Sequence, residues 1–192
     1  MQTDVTDRFT SFLKSALSLV IVLLVWATVA ALHIFPETIF PSPLSVWHAA
    51  IDLYRDGLLF SDLGDSLSRA CIGFLIGSTL GVTAGLLTGR TQFFRSLLNP
   101  FLTLLRPIPA IALVPVAIVW FGIGEGSKYF VISYTVFLAV WFNTHHGMQY
   151  VPDIYIRASR SLGASRIREF FGVVIPAAAP HIFAGISLGI AV

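Results

Sequence analysis

Charge is scarce in this 192-residue sequence. Only 11% of the residues are Asp, Glu, Lys or Arg, whereas 56% are hydrophobic. A typical soluble protein carries about 25% charged residues. This chain has less than half that share, too little to form the polar surface of a soluble protein. Intrinsic disorder is excluded too, because it requires low hydrophobicity and high charge. The composition predicts an integral membrane protein built as an all-α, polytopic helical bundle.

Cysteine is almost absent as well. The single Cys71 excludes an intrachain disulfide and a cysteine-built zinc site. His145 and His146 are adjacent and would point about 100° apart on a helix, so we expect no metal site. The sequence has no phosphate-binding loop and no nucleophile–base pair, which predicts no catalytic residues. A net charge of +2 gives no argument for nucleic acid as a partner.

Long apolar runs predict where the chain crosses the bilayer, since a helical crossing takes about 20 apolar residues. Four runs are candidates: residues 16–35, 67–88, 101–121 and 129–143, the last being short but extendable. A fifth starts near His181 and reaches Val192 after 12 residues, about 18 Å of helix. We therefore expect a sequence that is incomplete at its C-terminus.

Lysine and arginine are distributed unevenly around these runs. The loops on one side hold only Arg55 and Lys128, whereas the other side holds Arg8, Lys14, Arg90, Arg95, Arg157, Arg160, Arg166 and Arg168. Because basic residues accumulate in cytoplasmic loops, residues 1–15 are predicted to be a cytoplasmic N-terminal segment. The loop at 89–100 and the stretch from about 145 to 180 are predicted to be cytoplasmic too. In the acidic loop on the other side, Ser42-Pro43 and Gly57 predict the start and end of a short helix.

Glycine recurs every fourth residue in the second run. A helix with this spacing has a smooth face that lets another backbone approach closely, which favours packing over ligand binding. The residues are Gly73, Gly77, Gly81, Gly85 and Gly89.

Prolines interrupt the third run at Pro107, Pro109 and Pro115. Each removes a backbone hydrogen bond, and broken helices are tolerated where they face protein or a watery cavity. We expect this helix to line a solute pathway, with Asn99-Pro100 at its start and Arg106 about two turns inside. Arg106 either extends to the membrane interface or contacts the solute or a gating residue.

The arginine-rich stretch 156–176 predicts a helix ending at Gly163, a second helix opened by Ser165 and a stop at Pro176. It could dock a partner or remain a solvated loop. The stretch resembles the EAA loop of ABC importer permeases, which reads Glu-Ala-Ala, three residues, Gly, nine residues and Ile-x-Leu-Pro. This chain has Arg157-Ala158-Ser159, three residues, Gly163, nine residues and Val173-Val174-Ile175-Pro176; Arg157 and Ser159 depart from the motif. Leu162-Gly163-Ala164-Ser165 and Trp120-Phe121-Gly122-Ile123-Gly124 resemble the nitrate, sulfonate, taurine and bicarbonate branch.

The resemblance implies a permease domain over residues 16–192 with a coupling loop at about 150–180, five spans being visible of an expected six. It implies a multi-pass protein of the bacterial inner membrane that pairs with a second copy. Two separate ATPase subunits would bind ATP and magnesium, an external binding protein would deliver the solute, and this chain would hold no cofactor. The residues implied to couple to the ATPase are Arg157, Ala158, Ser159, Gly163, Ala164, Ser165 and Pro176.

The same resemblance implies import of a small oxyanion, either a sulfonate, taurine, nitrate or bicarbonate; a thiamine-precursor-like heterocycle is the alternative. A secondary transporter would carry acidic residues within its spans and internal repeats. The four complete runs contain no Asp or Glu, which argues against a secondary transporter. A channel subunit would need rings of charge or a filter loop, and a purely structural membrane subunit is a further alternative.

Overall fold

A computed structural model describes residues 3–32 and 34–192, and all its regular structure in these ranges is helical. The all-α prediction is confirmed. Side chains are described for Thr10, 13–32 and 34–192, so the predicted cytoplasmic segment 1–15 lies partly outside the described residues. Internal contacts divide the chain into two units, residues 1–64 and 65–192.

The first unit contains α1 (Thr3–Ala31), α2 (Pro43–Arg55) and the first turns of α3 (Leu58–Arg90). The Ser42 hydroxyl caps α2 by accepting a hydrogen bond from the backbone N–H of Ser45 at 3.1 Å. Gly57 follows α2 with a φ of +72°, a left-handed conformation that favours glycine. Both predicted boundaries of this short helix are therefore confirmed.

The second unit is arranged around one long central helix, α6 (Glu125–Gln149). Helices α3, α4 (Gln92–Leu105), α5 (Val114–Phe121) and α9 (Ile175–Ala191) all pack against α6. A 3₁₀ turn at Ala110–Leu113 precedes α5. Between α6 and α9 lie α7 (Asp153–Ser161), α8 (Arg166–Glu169) and a π-helical turn at Phe170–Val174.

Within residues 3–32 and 34–192, three helical segments are long and apolar enough to cross a membrane: Leu13–Ala31, Leu58–Arg90 and Arg166–Ala191. The pair Gln92–Leu105 and Ala110–Phe121 makes a fourth if it counts as one broken span. Helix α6 has 25 residues, enough length for a crossing, but does not reach the hydropathy of the others. Of the five predicted spans, the one at 129–143 is thus long enough but less apolar.

The third predicted span is interrupted at Pro107 and Pro109 as expected, but not at Pro115, which lies in the first turn of α5. Its two halves are bent by 93° around residues 106–109, because Pro107 and Pro109 have no N–H to continue the hydrogen-bond ladder. The predicted start at Asn99-Pro100 and the loop at 89–100 are also wrong. Helix α4 already begins at Gln92 after one extended residue, Thr91, and passes through Pro100. Arg106 therefore follows the last residue of α4 instead of lying two turns inside a helix.

The predicted stop at Pro176 and the start of the fifth span near His181 are wrong too. The helix runs from Arg166 through the π turn to Ala191. Pro176 lies in the first turn of α9, directly after the π turn, so its missing N–H falls where the regular α-helical hydrogen-bond pattern is already interrupted. The preceding π turn closes with a hydrogen bond from the N–H of Ile175 to the carbonyl of Phe170.

Candidate functional site

The glycine stripe of α3 lies directly against α6. A Cβ atom at Gly77 would lie 2.6 Å from the carbonyl oxygen of Ser133, and one at Gly81 would lie 2.9 Å from that of Phe137. Real Cβ atoms do not approach other atoms so closely, so these positions admit only glycine at the present helix separation. We call this contact the glycine seam; its members Gly73, Gly77, Gly81, Gly85 and Gly89 are all buried.

Helix α9 meets the other side of α6 in a similar way. Gly185 lies in close contact with Asn143 of α6, and Gly189 lies in close contact with Val136 of α6. Glycines on two different helices therefore bring both backbones close to α6. Close backbone approach of this kind stabilises helix pairs in membranes through packing alone.

The break between α4 and α5 is held by α6. The Tyr134 hydroxyl donates a hydrogen bond of 2.7 Å to the carbonyl of Leu105, which also accepts one of 3.1 Å from the N–H of Ile108 in the turn after α4. The Arg106 guanidinium carbon lies 3.7 Å from the centre of the Phe142 ring, a cation–π contact. The predicted pathway residues Arg106, Pro107 and Pro109 are thus together at the break, and their role in solute passage stays a prediction.

The segment around Gly163 forms a regular helix end. Gly163 has a φ of +75°, its N–H donates to the carbonyl of Arg160, and the N–H of Ala164 donates to that of Ser159. These two bonds define a Schellman motif, which glycine favours at this position. Ser165 then caps α8 by accepting from the N–H of Arg168. The predicted helix end and helix start are both confirmed.

A buried carboxylate ties α7 to the ends of two membrane helices. Glu169 is 1% exposed and accepts hydrogen bonds from Arg90, at the end of α3, and from Arg160, in α7. The Arg160 contact is bidentate, with distances of 2.6 and 3.1 Å. The hydrogen bond to Glu169 raises the pKa of Arg160 above its ordinary value. We call Arg90, Glu169 and Arg160 the Glu169 triad.

The outer surface of α7 remains open. Ile154, Tyr155 and Leu162 are exposed, Leu162 to 88%. The predicted coupling residues Arg157 and Ala158 are exposed as well, whereas Ser159 is buried and donates to the carbonyl of Ile156 at 2.9 Å. Pro176 belongs to α9 and not to this surface. Of the four arginines predicted to form a docking surface, Arg160 is engaged with Glu169.

A second polar cluster lies near this end of the glycine seam. Trp141 and His145 of α6 both contact the Thr88 hydroxyl, at 3.2 and 2.9 Å. Arg95 donates to the carbonyls of Thr88 and Gly89, which lie at the C-terminal end of α3 and lack helical partners. Together with the Glu169 triad, these contacts fix the arrangement of α3, α4, α6 and α7 at one end of the bundle.

A similar but open cluster includes Arg69, about three turns from the start of α3. Glu125, at the start of α6, accepts a hydrogen bond from Arg69 at 2.6 Å and from Lys128 at 2.9 Å. Its side chain is 46% exposed. We call these three residues the Glu125 triad.

Sequence reasoning missed Glu169, although one signal was present. Glu169 is the only Asp or Glu between Asp153 and Val192, and an isolated acid among four arginines indicates an ion pair. Within the described ranges, no group of three or more His, Cys, Asp or Glu side chains could hold a metal ion.

A family match and individual relatives both identify this chain with the permease components of transport systems. Residues 77–192 match the family described as "binding-protein-dependent transport system inner membrane component". The taurine transport system permease protein TauC of Escherichia coli is 33% identical over 180 residues, 91% of this chain and 66% of that protein. A putative aliphatic sulfonates transport permease protein of Bacillus subtilis is 34% identical, covering 94% of this chain and 66% of the relative.

A nitrate import permease protein of Synechocystis is 32% identical over 93% of this chain and 67% of its own length. The chain thus spans about two thirds of the length of these relatives. The family match covers more than half of the chain and includes the glycine seam from Gly77 onward, the broken helix and the Glu169 triad. The chain belongs to the family of inner membrane components of binding-protein-dependent transport systems.

Proposed function

We propose that this chain is the permease subunit of an ATP-driven, binding-protein-dependent importer, and that α7 is the helix through which the ATPase acts on it. One observation carries this proposal: α7 is anchored to α3 and α8 through the Glu169 triad, while Ile154 and Tyr155 on α7 and Leu162 directly after it are exposed. A helix that is fixed on one side and open on the other can transmit the rigid-body motion of a partner to the bundle. ATP and magnesium would bind in the ATPase subunits, with no cofactor in this chain, and a second copy would complete the pathway.

Copurification of the ATPase with variants of the exposed apolar surface tests this role. Leu162→Asp should abolish copurification, because a carboxylate placed in an apolar groove of the partner would be buried without a counterion. Ile123→Asp is the matched control: Ile123 is 94% exposed but lies in the loop between α5 and α6. Equal retention of the ATPase by both variants would contradict the coupling role.

The proposed orientation places the N-terminus and α7 in the cytoplasm, as the arginine distribution predicts. In a Cys71→Ser background, a single cysteine at exposed Ile123 should react with a membrane-impermeant thiol reagent on intact cells. A cysteine at exposed Ser165 should react only after the cells are opened. The reverse pattern would overturn both the orientation and the position of the ATPase.

The solute that the relatives favour is a small oxyanion, since they are permeases for taurine, aliphatic sulfonates and nitrate. Arg106, stacked on Phe142 at the helix break, is the side chain we propose for a transient contact with the anion, because guanidinium matches oxyanions in shape and charge. In the assembled importer, Arg106→Gln should slow uptake of labelled taurine or nitrate without loss of the ATPase. Normal uptake by that variant would leave Arg106 with a packing role only.

A further inference from the structure

A groove of about 650 Å³ lies beside the Glu169 triad. Its basic side chains come from the end of α3, from α7 and from the start of α8, and its apolar side chains come from α3 and the π turn. The lining includes Arg90, Arg160, Arg166, Leu86, Leu87 and Phe171.

The groove carries excess positive charge. Three arginines line it, and Glu169 is the carboxylate that pairs with two of them, Arg90 and Arg160. Among the residues that the structure describes, no carboxylate pairs with Arg166. Arg160 uses two of its five N–H donors on Glu169 and Arg90 uses one, so both retain donors for an anion while their positions are fixed.

The position of the groove relative to the membrane indicates what kind of anion fits. Arg90 is the last residue of one membrane-capable helix and Arg166 is the first of another, so in a membrane that these helices cross both arginines would lie at its boundary with water. Leu86 and Leu87 lie about one turn deeper on α3, and Phe171, 65% exposed, lies more than one turn deeper than Arg166. An acidic loop of a soluble partner would meet the arginines but not these deeper apolar residues, whereas a phospholipid would meet both.

We propose that this groove binds an anionic phospholipid, with the phosphate between Arg90, Arg160 and Arg166 and an acyl chain along Leu87 and Phe171. Basic pockets between membrane helices are suited to anionic head groups. The bound lipid would occupy the space beside the anchor of α7 and so would stabilise the Glu169 triad from its open side. This inference concerns the lipid and does not depend on which solute is imported.

Native mass spectrometry of the detergent-purified, delipidated importer complex tests the proposal. Phosphatidylglycerol should be retained in preference to phosphatidylcholine with the same acyl chains. Arg166→Gln should weaken phosphatidylglycerol binding about fivefold, the effect of one basic residue near an anionic surface. Arg168→Gln is the matched control, because Arg168 lies on the same short helix and loses the same charge but does not line the groove.

Further measurements distinguish a phospholipid from free phosphate and from a protein partner. Phe171→Ala should weaken binding of long-chain phosphatidylglycerol more than of its dihexanoyl form, whereas equal effects would assign the site to free phosphate. Inorganic phosphate that displaces the lipid at millimolar concentration would do the same. Equal losses in Arg166→Gln and Arg168→Gln, or no preference for phosphatidylglycerol, would overturn the proposal. Loss of the ATPase from Arg166→Gln with unchanged lipid binding would assign the groove to the protein partner.

Discussion

Glu125 and Glu169 each lie between two basic side chains, one of which belongs to α3, but the two clusters are built differently. In the Glu125 triad the acid is 46% exposed and one partner, Lys128, is three residues away in the same helix. In the Glu169 triad the acid is 1% exposed, and Arg90 lies 79 residues away in the sequence. An exposed pair is screened by water and salt and contributes little, whereas loss of one partner from a buried pair leaves an uncompensated charge. Among the side chains that the structure describes, Glu169 is the buried acid, and its contacts anchor α7.

The largest expected effect comes from the glycine seam, which sets the distance between α3 and α6 and therefore between Arg69 and Glu125. Gly81→Ala would place a Cβ 2.8 Å from the Cβ of Val140 and should lower the free energy of unfolding by about 1–3 kcal/mol, the usual cost of overpacking. Gly64→Ala is the control, since Gly64 lies in the same helix with open space around it, and it should raise that free energy by about 0.4–1 kcal/mol. Reversible unfolding in mixed micelles measures both. If Gly81→Ala and Gly64→Ala change the free energy of unfolding in the same direction, the glycine seam tolerates a wider separation of α3 and α6.

The second prediction compares the two acids directly. Glu169→Gln removes the charge that holds two arginines together, so the thermal midpoint should fall and amide exchange in α7 should accelerate. Glu125→Gln makes the same chemical change at the exposed triad and should alter neither property appreciably. Hydrogen exchange followed peptide by peptide distinguishes release of α7 from general unfolding. If the two variants behave alike, burial of Glu169 does not strengthen its contacts.

The smallest effect is expected from changes that keep the charge. Arg160→Lys retains an ion pair with Glu169 but loses the bidentate contact, because an ammonium group cannot reproduce the guanidinium fork. Amide exchange in α7 should therefore lie between that of the wild type and that of Glu169→Gln. Lys128→Arg, at the exposed triad, should be indistinguishable from the wild type in thermal midpoint. An Arg160→Lys variant with wild-type exchange would show that charge alone holds α7.

The features that sequence reasoning predicted are those decided by neighbouring residues. Ser42, Gly57, Gly163 and Ser165 mark helix ends through contacts within three to five positions along the chain. The glycine stripe was readable because its period of four residues defines a helix face whatever the partner helix is.

The incorrect predictions concern prolines and distant contacts. Pro100 and Pro176 lie inside or at the first turn of helices, whereas Pro107 and Pro109 break one. A proline is compatible with either outcome, and the choice depends on what packs around it. The pairing of Glu169 with Arg90 depends on the complete fold, so composition could mark the acid as unusual but could not name its partner.

The π-helical turn at Phe170–Val174 constrains how this sequence can change over time. A π turn contains one residue more than the α-helical turn it replaces. The side chains of α8 and α9 therefore follow two phases, that is, two angular registers around the helix axis that are offset by about 100°. One phase directs Glu169 toward Arg90 and Arg160, and the other directs Gly185 toward α6. Deletion of any one residue from this turn would merge the phases and rotate Glu169 away from its partners, whichever residue was lost. The number of residues in this stretch therefore matters for the anchoring of α7 as much as their side chains do, and a one-residue deletion here should release α7 even when every contacting side chain is kept.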